Sequence, residues 1–157
     1  MQQDHRWAVA ALPVFGTINW TEKEMPLIAP GPHAGVSGFG MVVVGGQIYV
    51  WGGFIPGGDE TDEPSRRTSR WAHRYDPKSG RWSKLPQLPG RREYTRAIAA
   101  EDAGYVMGGG IQKPRTGLNY EACAEVFRLD TGRRSLRWES VASLNVPRTH
   151  MAVGKAG

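Results

Sequence analysis

Residues 39–53 read FGMVVVGGQIYVWGG. Two short apolar runs, Met41–Val44 and Ile48–Trp51, flank Gly45-Gly46. A two-residue glycine turn between such runs is a strong hairpin signal, because both central positions of the turn require positive φ. The β-branched and aromatic content of the runs favours strands. Gly52-Gly53 then ends the second run.

That doublet recurs downstream. Gly52-Gly53, Trp82 and Arg92 reappear as Gly108-Gly109, Trp138 and Arg148, all at an offset of 56 residues. In both copies the second glycine precedes its tryptophan by 29 residues. A period near 50 marks propeller or solenoid arrays. In the first copy, the polar residues 54–70 hold Pro56, Gly57, Gly58 and Pro64 and read as a long exposed loop. Strands are expected at Trp71–Tyr75 and Arg81–Leu85, joined by the turn Asp76-Pro77-Lys78-Ser79-Gly80, where Asp bonds the following backbone and Pro presets φ. The second copy repeats the order: Thr95–Ala100, Tyr105–Met107, a loop over 110–121, then Cys123–Leu129 and Leu136–Val141 around Asp130-Thr131-Gly132. A third copy begins at Pro147-Arg148. Either Trp20 with Met25-Pro26 or Trp7 with Leu12-Pro13 is the end of a preceding copy, and the spacing leaves both readings open.

Four short strands per unit, joined by tight turns, make a propeller blade. The residues resemble the kelch repeat. The resemblance rests on Ile48-Tyr49-Val50-Trp51-Gly52-Gly53, Tyr75-Asp76-Pro77 with six residues between Tyr75 and Trp82, Leu85-Pro86 and Arg92. The second copy matches at Tyr105-Val106-Met107-Gly108-Gly109, Asp130, Trp138 and Pro147-Arg148, and departs at Leu129, where the family's tyrosine belongs. Eight residues rather than six then precede Trp138, which predicts a longer turn. The implied fold is all-β, an incomplete kelch-type β-propeller with two full four-stranded blades and partial blades at both ends. Residues 1–38 would end a preceding blade, 39–91 and 92–147 would be blades, and 148–157 would start the next. Closed propellers have four to eight blades. The chain is therefore expected to be a fragment of a longer propeller, with ring closure by self-association as the second account.

Composition agrees with a turn-rich β protein: 39% hydrophobic, with 21 glycines, 11 prolines and six tryptophans in 157 residues. The formal net charge is +5, with arginine far outnumbering lysine. A basic balance suits an anionic partner, but no nucleic-acid recognition motif occurs. No run of about 18 apolar residues is present, so no membrane span is expected, and the default compartment is cytoplasmic. Cys123 is alone, and His5, His33, His73 and His150 are dispersed, so neither a disulfide nor a metal site is expected. No nucleophile elbow or phosphate loop appears, and neither catalytic residues nor cofactors are expected.

Within the resemblance, Gly52, Gly53, Gly108 and Gly109 serve close strand approach, while Tyr75, Trp82 and Trp138 fill space between blades. Arg92 and Arg148 occupy a blade boundary. They either hold a neighbouring carbonyl or acid, or line a binding face. The loop after the doublet and the blade connection emerge on one face in this family, which gathers Arg66, Arg67, Arg70, Arg91, Arg92, Lys113 and Arg115 into a basic rim able to grip carboxylates. The alternative is a solvated face neutralised by Asp59, Glu60, Asp62 and Glu63. The implied function is a protein-interaction module, scaffold or substrate adaptor, whose partner carries an acidic segment. A piece of a propeller enzyme, oxidase or sugar epimerase, is the alternative, and a carbohydrate-binding surface using Phe54 and Tyr94 is a third.

Overall fold

The computed structural model describes residues 36–55, 68–112 and 120–154. They form two four-stranded antiparallel sheets and one small hairpin, and among the described residues there is no helix. The first sheet runs β1 (Gly40–Val44), β2 (Gln47–Trp51), β3 (Ala72–Asp76) and β4 (Arg81–Lys84) in chain order. The second contains β5 (Arg96–Ala100), β6 (Ala103–Met107), β9 (Val126–Asp130) and β10 (Trp138–Val141), also as a meander. These are two propeller blades.

Local chemistry explains the turns. Gly45 and Gly46 carry φ of 57° and 75°, the left-handed pair that the β1–β2 hairpin needs. Between β3 and β4 the Lys78 N–H donates to Asp76 Oδ1 at 2.9 Å, and the Gly80 N–H donates to the Asp76 carbonyl at 2.8 Å. The β9–β10 connection is longer, as its spacing predicted, and is tied down by the Thr131 N–H donating to the Asp102 carbonyl at 2.8 Å.

One expectation needs correction. Residues 110–121 are not simply a loop, because β7 (Gly110–Gln112) and β8 (Tyr120–Ala122) pair in register Gly110↔Ala122 and Gln112↔Tyr120. The strand expected from Cys123 therefore begins only at Val126. The Cys123 N–H donates to the Gly109 carbonyl instead, bending the chain between the hairpin and β9.

The innermost strands β1 and β5 face each other and bring the blades side by side. Residues paired across a sheet share a face, so Val42 with Tyr49, and Val44 two residues on, point together toward the second blade. They meet Ala97, Ala99, Val106, Phe127, Leu129 and Trp138 from the other sheet. Trp51 lies at the centre of this seam, 0% exposed, its ring 5.4 Å from that of Trp138 in an edge-to-face arrangement. A Cβ on Gly104 would stand 2.5 Å from Trp51 Cη2, so the large ring of one blade occupies space left empty in the next. The Trp138 indole N–H donates to the Pro86 carbonyl at 2.8 Å, adding a hydrogen bond across the seam.

Candidate interaction surface

Both glycine doublets, the described ends of the segments that follow them and the blade connection lie at one end of the sheets. Single bridges Ser37↔Phe54, Phe54↔Thr68 and Glu93↔Gly110 join them there. The doublets repeat the same backbone, with φ of 67° and 99° at Gly52 and Gly53 and of 56° and 92° at Gly108 and Gly109. A Cβ on Gly52 would come within 2.5 Å of the Arg92 carbonyl oxygen, and one on Gly108 within 2.6 Å of that of Arg148. Those oxygens accept the next N–H in each doublet, from Gly53 at 2.8 Å and Gly109 at 3.0 Å. The following connection thus presses directly onto the doublet, which only glycine permits.

Arg92 joins both blades. Its carbonyl serves the first, while its side chain turns into the second and is only 1% exposed. There Nη1 donates to the carbonyls of Gly108 and Glu125, each at 3.3 Å, and Cζ stands 4.5 Å from the centre of the Phe127 ring. Burial lowers the guanidinium pKa, with Cys123 and then Glu125 opposing that shift. Cation–π contact and two carbonyls stand in for the lost hydration.

Arg70 and Arg91 frame the root of the first loop. Arg91 Nη1 donates to the Thr68 carbonyl at 2.8 Å, and Arg70 Nη2 donates to Gln87 Oε1 at 2.9 Å. Between the roots of the two loops, the Thr68 hydroxyl accepts the Gln112 N–H at 3.3 Å and donates to Glu93 Oε1 at 3.0 Å. Glu93 is 0% exposed and among the described residues its Oε2 has no hydrogen-bond partner; burial holds the carboxyl pKa above its ordinary value despite the Thr68 bond.

One column of residues repeats with the period but not in kind. Positions 38, 94 and 150 are Gly, Tyr and His. All three have left-handed backbones, with φ of 63°, 51° and 52°. The Tyr94 N–H donates to the Gly38 carbonyl at 2.6 Å, and the His150 N–H to the Tyr94 carbonyl at 3.4 Å. The Tyr94 and His150 rings stack with centroids 4.0 Å apart and planes 24° from parallel. A left-handed residue with a side chain costs about 1–2 kcal/mol, whereas one aromatic pair returns about 0.5–1.5 kcal/mol.

The sequence pattern of the kelch motif matches residues 35–89. The chain is 30% identical to the Kelch-like protein terF of Aspergillus terreus over 141 residues, which cover 88% of this chain and 28% of that protein. It is 34% identical to Kelch-like protein 35 of Mus musculus over 101 residues, covering 64% of this chain and 16% of the mouse protein. The chain belongs to the kelch-repeat family. It spans less than a third of the length of either relative.

Within the kelch frame the expected rim residues separate. Arg70 and Arg91 lie at the loop end of the blades, and Arg148 is exposed there. Arg92 does not belong with them: its guanidinium is spent on the blade interior, the carbonyl-holding role left open for it from the sequence. Arg66, Arg67, Lys113 and Arg115, the acids from Asp59 to Glu63, and Trp7, Trp20, His5 and His33 fall outside the described residues. Tyr75 and Trp82 sit opposite each other on β3 and β4 with rings 5.1 Å apart, on the face of the first sheet that points away from the second. His73 lies beside Trp82 and Trp71, and burial, then Lys84, lowers its pKa. The Cys123 thiol is buried and its pKa is pushed up chiefly by that burial, away from reactive thiolate character. Among the described residues no group of three or more His, Cys, Asp or Glu could hold a metal ion. Sequence reasoning missed Glu93 and the Tyr94–His150 stack. The signal available was the period itself, which sets Glu93 against Ser37 and Thr149, and Tyr94 and His150 against Gly38.

Proposed function

We propose that this chain is a cytoplasmic protein-interaction module of the scaffold or adaptor kind, whose loop end takes an acidic segment of a partner protein. The observation that supports this reading is that the described ends of both post-doublet segments and the blade connection meet at one end of the blades, with Arg70 and Arg91 set at the root of the first loop. Arg66 and Arg67 precede that root in the sequence, and Arg115 lies in the corresponding loop of the second blade. Guanidinium groups suit carboxylates because their forked donors bind both oxygens. Arg148 joins this set, and Arg92 leaves it.

The test is fluorescence anisotropy of a labelled peptide rich in Asp and Glu, titrated with the wild-type chain and with the Arg66→Ala, Arg67→Ala, Arg70→Ala triple variant. The expected result is at least tenfold weaker binding by the variant, about 1.4 kcal/mol or more, and wild-type affinity that falls steeply with salt. Absence of wild-type binding, or equal binding by the variant, removes the reading. Unchanged thermal unfolding shows that the three side chains do not hold the fold.

A further inference from the structure

We infer that Ser135 is a phosphorylation site, the target of a kinase that reads arginine on both sides of its serine. It lies on the β9–β10 turn, at the opposite end of the blades from the loops, and does not depend on the acidic-partner reading.

The two blades begin this turn alike. In the first, the Lys78 N–H and the Ser79 hydroxyl donate to the two carboxylate oxygens of Asp76, at 2.9 and 3.0 Å. In the second, the Gly132 N–H and Arg133 Nε donate to those of Asp130, at 3.2 and 3.0 Å. The first blade then passes through Gly80 straight into β4, whereas the second runs on through Arg134-Ser135-Leu136-Arg137. Leu136 packs against the core between the blades, and the Thr131 hydroxyl donates to the Asp102 carbonyl at 2.7 Å. The longer turn is thus pinned on both sides, with Ser135 exposed between the pins. Neither Arg134 nor Ser135 makes a hydrogen bond or ion pair among the described residues. The hydroxyl serves no bond of the fold and is open to an enzyme.

The surrounding charge suits a phosphate. Arg133 Nη1 and Arg137 Nε meet at Glu139 Oε1, at 3.2 and 3.7 Å, and Arg128 bridges Glu139 and Asp130 at 3.1 and 3.2 Å. With Arg134 that sets four guanidinium groups against two carboxylates. Asp102, beside Gly132 on the β5–β6 turn, is a third acid and still leaves the cluster positive. Ser135 is next to Arg134 and two residues from both Arg133 and Arg137, a Cα separation of at most about 7 Å. Arg134 is exposed and the Arg137 side chain is 70% exposed, so both can turn to a new anion without disturbing the core. A phosphoserine adds about 1.5 to 2 negative charges and three acceptor oxygens, which forked guanidinium donors bind in pairs. In the transfer, Ser135 Oγ bonds to the γ-phosphorus of ATP and the bond from that phosphorus to ADP breaks. The hydroxyl proton passes to the catalytic carboxylate of the kinase. The product removes the positive charge of the turn.

The experiment incubates the folded chain with ATP and the catalytic domain of protein kinase C, which reads arginine on both sides of its target. Mass spectrometry is expected to map a phosphoryl group to Ser135. Arg134→Ala, which removes no bond from the fold, is expected to slow that transfer about tenfold, the worth of one charge-assisted contact. In the phosphorylated wild-type chain, a phosphorus NMR titration at low salt should place the second phosphate pKa below its usual value of about 6, because the guanidinium groups favour the dianion. Four results each overturn the inference: Ser135 left unmodified, modification there only after heat unfolding, Arg134→Ala modified as fast as wild type, or a phosphate that titrates at its usual pH.

Discussion

Glu93 illustrates how one substitution within a repeat changes local energetics. Its period-related positions hold Ser37 and Thr149, both short hydroxyl residues. A carboxylate there keeps one oxygen bonded to Thr68 and, among the described residues, one without a donor. Leaving a buried polar group unpaired costs about 1–3 kcal/mol, more when it is charged. The sign of the pH dependence follows. Burial raises the folded-state pKa above the ordinary glutamate value of 4.5, so the unfolded chain gives up its proton first as pH rises. Stability is then lost from that pH upward until the folded carboxyl ionises as well. Glu93→Gln, which keeps the shape and removes the charge, is therefore expected to raise the unfolding temperature at pH 7 by a few degrees. Its advantage should shrink toward pH 4. Thermal unfolding at the two pH values checks this, and an advantage that grows on acidification would show that the carboxylate stabilises the fold.

At the scale of strands and turns, the sequence speaks clearly where a backbone conformation demands a residue type. Gly45-Gly46 announces its hairpin because few other pairs accept two positive φ values, and Asp76 announces its turn because its side chain caps the next amide. The β7–β8 hairpin went unread because it consists of three-residue strands with no alternating apolar pattern. Arg92 was ambiguous for a different reason: an arginine at a blade boundary faces solvent or interior according to what the neighbouring strand offers, here the Phe127 ring and two carbonyls. Trp51 and Gly104 were invisible as a pair. They sit 53 residues apart, and Gly104 stands where the first copy has Ile48. Gly104→Ala should accordingly cost about 1–3 kcal/mol by forcing the Trp51 ring aside, with a shift in tryptophan emission. Gly132→Ala is the control, since its added Cβ would meet nothing nearer than 3.6 Å and its unfolding should stay close to wild type.

For the molecule as a whole, the two sides of the first blade are unequal. One side is sealed against the second blade. The other carries Met41 and Val43, 55% and 57% exposed, beside Ile48 and on the face that also holds the buried Val50 and Tyr75. Apolar side chains in one row on a sheet favour association with another apolar surface. Replacing Met41 and Val43 with Thr keeps strand propensity while making the row polar. Sedimentation velocity over a range of concentrations should then show less self-association than wild type, with secondary structure unchanged. Equal association by both chains would place the contact elsewhere, on the loop end or on the charged side of the second blade, where Arg128, Asp130, Arg133 and Glu139 pair.

The fit of Trp51 into the gap at Gly104 also bears on how such a chain can change over generations. Repeats that are alike can be copied, lost or traded by recombination between them. Here a tandem of two first units would drive the Trp51 ring into Ile48, because the empty space belongs to the second unit alone. The copies still share a period, yet they have become neighbours of fixed order, each shaped to one side of one boundary. Divergence at a single junction is enough to end their exchange.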